Sequence, residues 1–284
     1  MGTDKTVKRR IPLSFEIFPP KADAPLSDIL VKLGDFAKLS PEYISVTYGT
    51  DGSNAPRTLE ITEIVRRDYG IRSVAHLTCM NATHGDIADK LLRFKSAGVT
   101  DILALRGDRR DGLRLIDFNY AVDLISFINK AGGFSVCAAC YPEGHAESGG
   151  IKNDVEIMKK KDALGVTHFV SQLFFDNGVF MRLLDLAAAG GIKAPIHAGV
   201  MPITNIKQLA GIVKVSGVKI PDRLARQIGK FEGNPQALKQ AGMNFALEQI
   251  SELAAYGVSG VHLYTMNSPD TARYIRDNTS YLFE

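Results

Sequence analysis

The sequence has no tryptophan and only three cysteines among its 284 residues. A small, odd number of cysteines does not build the disulfide framework of a secreted domain. A chain of this length buries about 75% of its unfolded surface, so its core needs no disulfide or metal. No apolar run approaches the ~18 residues that cross a membrane, and the chain does not open with the pattern of a secretion signal. We therefore expect a cytoplasmic protein without a membrane segment.

An excess of charge of either sign is also missing. The 34 basic and 31 acidic residues leave a net charge of +3, and no basic stripe alternates with aromatic residues as in nucleic-acid-binding surfaces. The only basic cluster spans residues 5–10, close to the N-terminus, where most chains are poorly ordered. We expect a flexible basic tail over residues 1–11, one domain over residues 12–284, and no nucleic-acid partner.

Several chemical motifs are absent as well. The chain contains no G-x-G-x-x-G, no Walker A sequence, no H-E-x-x-H and no internal repeat. The pair Cys137 and Cys140 resembles half of a zinc or redox site, but it lies in a predicted strand, where residues three apart point to opposite faces. We interpret both as buried structural cysteines and predict no metal site.

Strand-like and helix-like segments alternate along the whole chain. Strands are predicted at residues 13–18, 43–47, 73–78, 101–105, 134–140, 167–174, 195–200 and 260–265. Helices are predicted at residues 26–39, 57–69, 83–97, 117–131, 154–164, 177–189, 205–215, 222–229 and 236–255, with a last one from Pro269. Eight βα units in fewer than 300 residues predict a (β/α)8 TIM barrel, which belongs to the α/β class. The alternative, a doubly wound open sheet, usually carries a glycine-rich first turn that this chain lacks.

One carboxylate stands out at the end of the first predicted strand. Glu16 lies in FEIFPP (residues 15–20), where two prolines end a run of strand-forming apolar residues. A buried, unpartnered carboxylate is costly unless its site uses a raised pKa. A salt-bridged or exposed strand glutamate is the alternative.

Polar residues follow nearly every other strand at the same end, and in a barrel these ends meet around the active site. No nucleophile has an adjacent base, so the set favours redox or acid-assisted chemistry on a bound cofactor over hydrolysis. Arg106, Lys160 and Lys161 could hold phosphates, although lysines at 159–161 are also typical of a solvated helix face. His76, His168, His197 and His262 are interpreted as interior strand histidines.

Eight short motifs, taken together and in order, resemble the methylenetetrahydrofolate reductase family. They are FEIFPP (15–20), SVTYG (45–49), AHLTC (75–79), LRGD (105–108), YPEGH (141–145), QLFFD (172–176), GVMPI (199–203) and HLYTMN (262–267). The resemblance covers residues 12–268 and is to the bacterial form, a catalytic barrel without a regulatory domain. It implies bound FAD, reduction of the flavin by NADH or NADPH, and a second half-reaction that converts methylenetetrahydrofolate to 5-methyltetrahydrofolate in one-carbon metabolism.

The resemblance also implies roles for individual residues. Glu16 is expected to be the general acid that opens the five-membered ring of the folate, and Asp108 to place a negative charge beside the flavin ring. FAD would be held by Tyr48, Thr50, His76, Arg106, Gly107, Asp108, Ala121, Tyr141, His145, Asp154, Lys160 and Lys161. The folate and nicotinamide substrates would contact Thr47, Gln172, Gln208 and Ser268.

Two positions depart from the family pattern. Ser268 stands where relatives commonly have arginine, and Ile212 where some place an aromatic residue that stacks on the substrates. Relatives form homo-oligomers, often tetramers. The alternatives are a flavin-dependent barrel of the related proline dehydrogenase type and a non-enzymatic barrel that binds a partner.

Overall fold

The computed structural model describes residues 10–20, 24–49, 54–109, 112 and 114–283. Thr50 and residues 1–9 of the predicted tail lie outside this range. The remaining part of that segment is in contact with the domain, because the backbone N–H of Ile11 donates to the carbonyl of Leu282 at 3.0 Å. The domain boundary at residue 12 stays a prediction.

Eight strands form a closed, wholly parallel barrel in the order of the sequence, and β1 pairs with β8 to close it. The strands are β1 Leu13–Ile17, β2 Ile44–Val46, β3 Ser73–Thr78, β4 Asp101–Leu105, β5 Ser135–Cys140, β6 Phe169–Ser171, β7 Ile196–Val200 and β8 Val261–Tyr264. The predicted (β/α)8 barrel is therefore confirmed.

Helices connect the strands and surround the barrel. They are α1 Ser27–Ala37, α2 Ala55–Tyr69, α3 His84–Ser96, α4 Ala121–Ala131, α5 Ile151–Ala163, α6 Asn177–Ala189, α7 Ile206–Ser216, α8 Asp222–Gly229, α9 Pro235–Tyr256, α10 Pro269–Asn278 and α11 Ser280–Phe283. None of the helices in the described ranges is both long and apolar enough to cross a membrane.

The bounds of α4 and β6 differ from those predicted, and each difference has a local cause. α4 begins at Ala121 rather than at residue 117, because the Asp123 carboxylate accepts from the backbone N–H groups of Asn119 and Tyr120 and caps the helix there. β6 covers Phe169–Ser171 rather than 167–174, since its ladder to β7 ends at Val170, and the Gln172 side chain accepts from the N–H of Leu173.

The main apolar core lies between the barrel and its helices. Phe15 on β1 packs against Phe36 on α1 with ring centroids 5.6 Å apart, and both side chains are fully buried. Cys140 belongs to this outer core, whereas Cys137 packs with Tyr43 in a separate cluster. The two thiols are free and point to opposite faces of β5, as the strand alternation predicted.

Candidate active site

Two cavities open at the carboxyl ends of the strands. The mouth cavity, about 420 Å³, lies over the barrel axis and is lined by Glu16, His76 and Tyr264, among others. The side cavity, about 630 Å³, extends between α4 and α5. Both are lined by Leu105, Arg106, Ala139, Tyr141 and His145, so they form one continuous groove.

Glu16 projects from the end of β1 into the mouth cavity, and its side chain is only 20% exposed. Burial raises the pKa of its carboxyl, and the nearby His76 partly opposes this effect. His76 Nε2 lies 3.6 Å from Glu16 Oε2, and burial lowers the pKa of this histidine to about 4. The imidazole is therefore largely neutral at pH 7, so burial outweighs its opposing effect on the pKa of Glu16.

The backbone around Glu16 is held by the loop that follows β8. Thr265 Oγ1 donates to the Glu16 carbonyl at 2.7 Å. Asn267 Oδ1 accepts from the N–H of Phe18 at 2.9 Å, and its Nδ2 donates to the Phe18 carbonyl at 2.8 Å. Met266 and Asn267 both have positive φ angles, 52° and 55°, a conformation rarely adopted by residues with side chains. This contact fixes the end of β1 where Pro19 stops the strand.

Arg106 lies where the two cavities join, and its side chain is 13% exposed. Its two terminal nitrogens donate to both carboxylate oxygens of Glu147 at 2.8 and 2.7 Å. Arg109 Nε also lies 3.1 Å from Glu147. These contacts, led by the hydrogen bond to Arg106, lower the pKa of Glu147. The sequence analysis missed Glu147, because nothing in its local sequence distinguishes it from a surface carboxylate.

The first turn of α5 organises the loop beneath the side cavity. Asp154 is buried and accepts from the backbone N–H of His145 at 2.8 Å and from Ser148 Oγ at 2.9 Å. Lys161 Nζ donates to the Ala139 carbonyl at 2.8 Å, and burial lowers the pKa of this lysine to about 8. Lys160 is exposed at the rim of the cavity.

Tyr264 on β8, which lies in the HLYTMN motif but for which no role was predicted, lines the mouth cavity. Its hydroxyl donates to the Ser171 carbonyl at 2.7 Å, and burial raises its pKa well above the usual value. A Cβ on Gly199 would lie 2.7 Å from the Tyr264 ring and closer still to the Ser171 carbonyl. Only glycine on β7 therefore leaves room for this tyrosine, a relation between three strands that is invisible along the sequence.

Comparison with known proteins shows the family to which this barrel and its groove belong. The family model for methylenetetrahydrofolate reductase matches residues 3–280. The chain belongs to the methylenetetrahydrofolate reductase family. Because this family consists of oxidoreductases, membership also favours redox chemistry over hydrolysis at the groove.

Curated relatives match over most of this chain. The chain is 30% identical to the 5,10-methylenetetrahydrofolate reductase of Escherichia coli (strain K12), with 92% of this chain and 88% of that protein covered. It is also 30% identical to the enzyme of Pectobacterium carotovorum subsp. carotovorum, with 91% and 86% covered. The match to methylenetetrahydrofolate reductase (NADH) 1 of Arabidopsis thaliana, at 31% identity, covers 95% of this chain and 48% of that protein.

A solved structure shares the fold. An uncharacterized protein from Clostridium thermocellum, which binds two copies of 5-methyl-5,6,7,8-tetrahydrofolic acid, superposes with a TM-score of 0.65 over 97% of this chain and 96% of that one. The two sequences are 12% identical, so the likeness is one of fold.

Most of the residues predicted from the family resemblance line the groove. The mouth cavity is lined by Glu16, Thr47, Tyr48, His76, Arg106, Gly107, Asp108, Tyr141, His145 and Gln172. The side cavity adds Ala121, Asp154, Lys160 and Lys161. Thr50 lies outside the described residues.

Gln208 and Ser268 line neither cavity. Gln208 is in the first turn of α7, where its Oε1 accepts from Thr204 Oγ1 at 2.7 Å and its Nε2 is buried without a hydrogen-bond partner. Ser268 caps α10 by accepting from the N–H of Thr271. The contact of Gln208 and Ser268 with substrate stays a prediction.

Proposed function

We propose that this protein reduces 5,10-methylenetetrahydrofolate to 5-methyltetrahydrofolate with electrons from NADH or NADPH, through bound FAD and by a ping-pong sequence. The observation that carries the proposal is Glu16, a carboxyl with a burial-raised pKa at the mouth of a barrel of this family. A C. thermocellum protein of the same fold binds the methylated folate product, which supports a folate ligand.

The groove suits FAD in shape and in chemistry. A dinucleotide has a planar ring at one end and an adenosine at the other, joined by a pyrophosphate, and the two joined cavities offer space for both ends. Arg106 and Lys160 bring positive charge to the path between them, as phosphates require. The Tyr48 hydroxyl and His76 Nε2 are buried without hydrogen-bond partners beside the mouth cavity, and a polar ring edge would satisfy them. When bound, FAD would accept a hydride from the nicotinamide nucleotide and pass it to the one-carbon unit of the folate.

Glu16 supplies the proton that this reduction needs. The carbon of methylenetetrahydrofolate accepts hydride only after one of its two C–N bonds breaks, and the departing nitrogen must then take a proton. A carboxyl that is still protonated near neutral pH can give this proton, which is typically worth 10²–10⁴ in rate. Burial raises the pKa of the Glu16 carboxyl, which favours the protonated form that a general acid needs.

Asp108 lies on the loop after β4 and lines the mouth cavity. Burial raises the pKa of Tyr141 to about 12, and the negative charge of Asp108 adds to this shift. We propose that this charge stabilises the cationic one-carbon unit formed when the folate ring opens. Thr47 and Gln172 line the same cavity and are proposed to contact the substrates, with Gln208 and Ser268 at its edge.

The test separates the two half-reactions. Glu16→Gln should keep the flavin spectrum and the rate of flavin reduction by NADH, because no proton from Glu16 enters that step. Its folate half-reaction should fall by at least 10²-fold. Glu143→Gln is the matched control, because burial also raises the pKa of Glu143 but this residue lines neither cavity. Equal losses in both half-reactions of Glu16→Gln would overturn the general-acid role.

The same purified protein discriminates the alternatives. A proline dehydrogenase would reduce its flavin with proline, and a non-enzymatic barrel would show no flavin spectrum even after FAD is added. Half-reactions with NADH and NADPH compare the two nucleotides, and light scattering tests the predicted homo-tetramer.

A further inference from the structure

The turn that follows β8 has an unusual backbone. It runs from Thr265 to Ser268 and is closed by the backbone N–H of Ser268, which donates to the Thr265 carbonyl at 3.0 Å. Both central residues, Met266 and Asn267, have positive φ angles, as in a type I′ turn. Asparagine adopts this conformation fairly readily, but methionine does so rarely. Unfavourable backbone angles persist where surrounding contacts require them, and they occur often at functional sites.

The contacts of this turn are made with the end of β1. The backbone ladder between β1 and β8 ends at the pair Glu16 and Tyr264, beyond which the turn leads the chain into α10. Thr265 Oγ1 donates to the Glu16 carbonyl at 2.7 Å. The Asn267 amide accepts from the N–H of Phe18 and donates to its carbonyl. Two side chains therefore bind three backbone groups of the segment that carries Glu16.

The two edges of β1 are held differently. On the edge toward β2, the backbone ladder continues to Ile17, whose carbonyl accepts from the N–H of Thr47 at 3.0 Å. On the edge toward β8, the bonds at and beyond the Glu16 carbonyl come from the side chains of Thr265 and Asn267. The direction in which the Glu16 side chain projects thus depends on these two side chains.

The position of the Glu16 carboxyl also decides its protonation. The titratable and charged groups around it are His76 on β3, His262 and Tyr264 on β8, Tyr43 on β2, and Arg106 and Asp108 in the mouth cavity. Burial lowers the pKa of both histidines and raises that of both tyrosines, so these four groups are largely neutral at pH 7. Burial is also the largest cause of the raised pKa of Glu16. A movement of the carboxyl toward water would therefore lower its pKa.

We propose that Thr265 and Asn267 are positioning residues for the general acid, which hold the end of β1 so that the Glu16 carboxyl stays buried and directed into the mouth cavity. The inference rests on the proposed function, in which Glu16 gives a proton to the departing folate nitrogen. Thr265 and Asn267 line neither cavity, so they act through the strand and not on the substrate. A general acid must lie within hydrogen-bond reach of the atom it protonates, and a displacement of about 1 Å can cost about 10²-fold in rate.

Thr265→Val tests the proposal because it removes the hydroxyl and keeps the shape of the side chain. The folate half-reaction should fall by about 10- to 100-fold, whereas flavin reduction by NADH should keep its rate, because no proton from Glu16 enters that step. Thr265→Ser keeps the hydroxyl and should restore most of the folate half-reaction. Asn267→Gly removes both bonds to Phe18 but allows the turn, since glycine adopts positive φ freely, and should behave like Thr265→Val.

Thr62→Val is the matched control. Thr62 is also buried, and its hydroxyl also donates to a backbone carbonyl at 2.7 Å, but it lies in α2 and lines neither cavity. Both valine variants lose a hydrogen bond and should lose some stability. Only Thr265→Val should slow the folate half-reaction.

A second measurement does not depend on turnover. The infrared band of the protonated Glu16 carboxyl can be identified by its loss in Glu16→Gln. In Thr265→Val this band should disappear at a lower pH than in the wild-type protein, because a more exposed carboxyl has a pKa closer to its usual value. In Thr62→Val the band should titrate as in the wild type.

The outcomes are distinct. A folate half-reaction of Thr265→Val equal to that of Thr62→Val overturns the positioning role. So does an equal loss in both half-reactions, a failure of Thr265→Ser to restore the rate, or an unchanged infrared titration in Thr265→Val. A wild-type protein with no folate half-reaction overturns the proposed function itself, and the infrared titration then still reports whether the turn holds Glu16.

Discussion

At the scale of single residues, the pair Arg106–Glu147 decides how much positive charge the groove offers to a ligand. The guanidinium makes two hydrogen bonds to one carboxylate, a geometry equally suited to a phosphate. A bound phosphate therefore competes with Glu147 for the same donors.

This competition predicts the effect of Glu147→Gln. The neutral amide holds Arg106 less strongly, so FAD should bind about tenfold tighter, while riboflavin, which has no phosphate, should bind as before. Fluorescence titration of the protein with each flavin measures both affinities. An equal change for FAD and riboflavin would show that Glu147 acts on the loop and not through the charge of Arg106.

Single residues also show which sequence inferences were possible. Glu16 was noticeable because a carboxylate followed by two prolines is unusual in an apolar strand. Tyr264 and Glu147 carried no such local mark, since their importance lies in contacts with β6, β7 and the loop after β4. Thr83, the first residue of a predicted helix, caps that helix and forms a reciprocal capping box with Asp86.

At the scale of elements, two glycines in helices have opposite surroundings. A Cβ on Gly242 in α9 would collide with the carbonyl of Ile203, in the loop after β7. A Cβ on Gly211 in α7 would meet nothing within 4 Å. The first glycine allows a helix to approach a loop closely, and the second has no such purpose.

Alanine at the two positions should therefore change stability in opposite directions. Gly242→Ala should lower the free energy of unfolding by about 1–3 kcal/mol through overpacking. Gly211→Ala should raise it by about 0.4–1 kcal/mol, because alanine favours the helix and restricts the unfolded chain. Both effects are measured by the shift of the denaturant midpoint, provided that the dependence of the free energy of unfolding on denaturant concentration is unchanged. Stabilisation by Gly242→Ala would mean that α9 does not lie against Ile203.

At the scale of the whole molecule, four buried histidines couple folding to pH. Burial lowers the pKa of His76 and His197 to about 4 and of His168 and His262 to about 3. Below pH 6.5 the unfolded chain binds protons that the folded one does not, so stability is present above the unfolded pKa and is lost as the pH falls.

As the pH is lowered, the protein should unfold at a pH well above that at which its carboxylates become protonated. Each histidine contributes about 1.4 kcal/mol per pH unit, so the slope of the free energy of unfolding should approach about 5 kcal/mol per unit near pH 5. Denaturant unfolding between pH 7 and 5 measures this slope. His197→Gln should reduce this slope by about 1.4 kcal/mol per pH unit, the contribution of one histidine. A slope smaller than the contribution of one histidine would show that the histidines are not buried in the folded protein.

The groove couples ligand binding to the stability of the whole barrel. FAD at about 100 times its dissociation constant should raise the free energy of unfolding by about 2.7 kcal/mol. At about 2–4 °C per kcal/mol, the melting temperature should increase by roughly 5–10 °C. Thermal unfolding followed by circular dichroism tests this, with Arg106→Met as the variant that should lose most of the shift. If Arg106→Met kept the whole increase in melting temperature, the phosphates of FAD would have to bind away from Arg106.

The sequence by itself determined the alternation of strands and helices, and hence the barrel, because periodicity and capping act within a few residues of one another. It also determined the family, since eight motifs in order carry more information than any one of them. Only the tertiary structure decided what surrounds Glu16: His76 on β3 and His262 on β8, whose Nε2 atoms lie 3.6 and 3.8 Å from the Glu16 carboxylate. Burial and partner distance set the protonation of a carboxyl, and both arise only when the barrel closes.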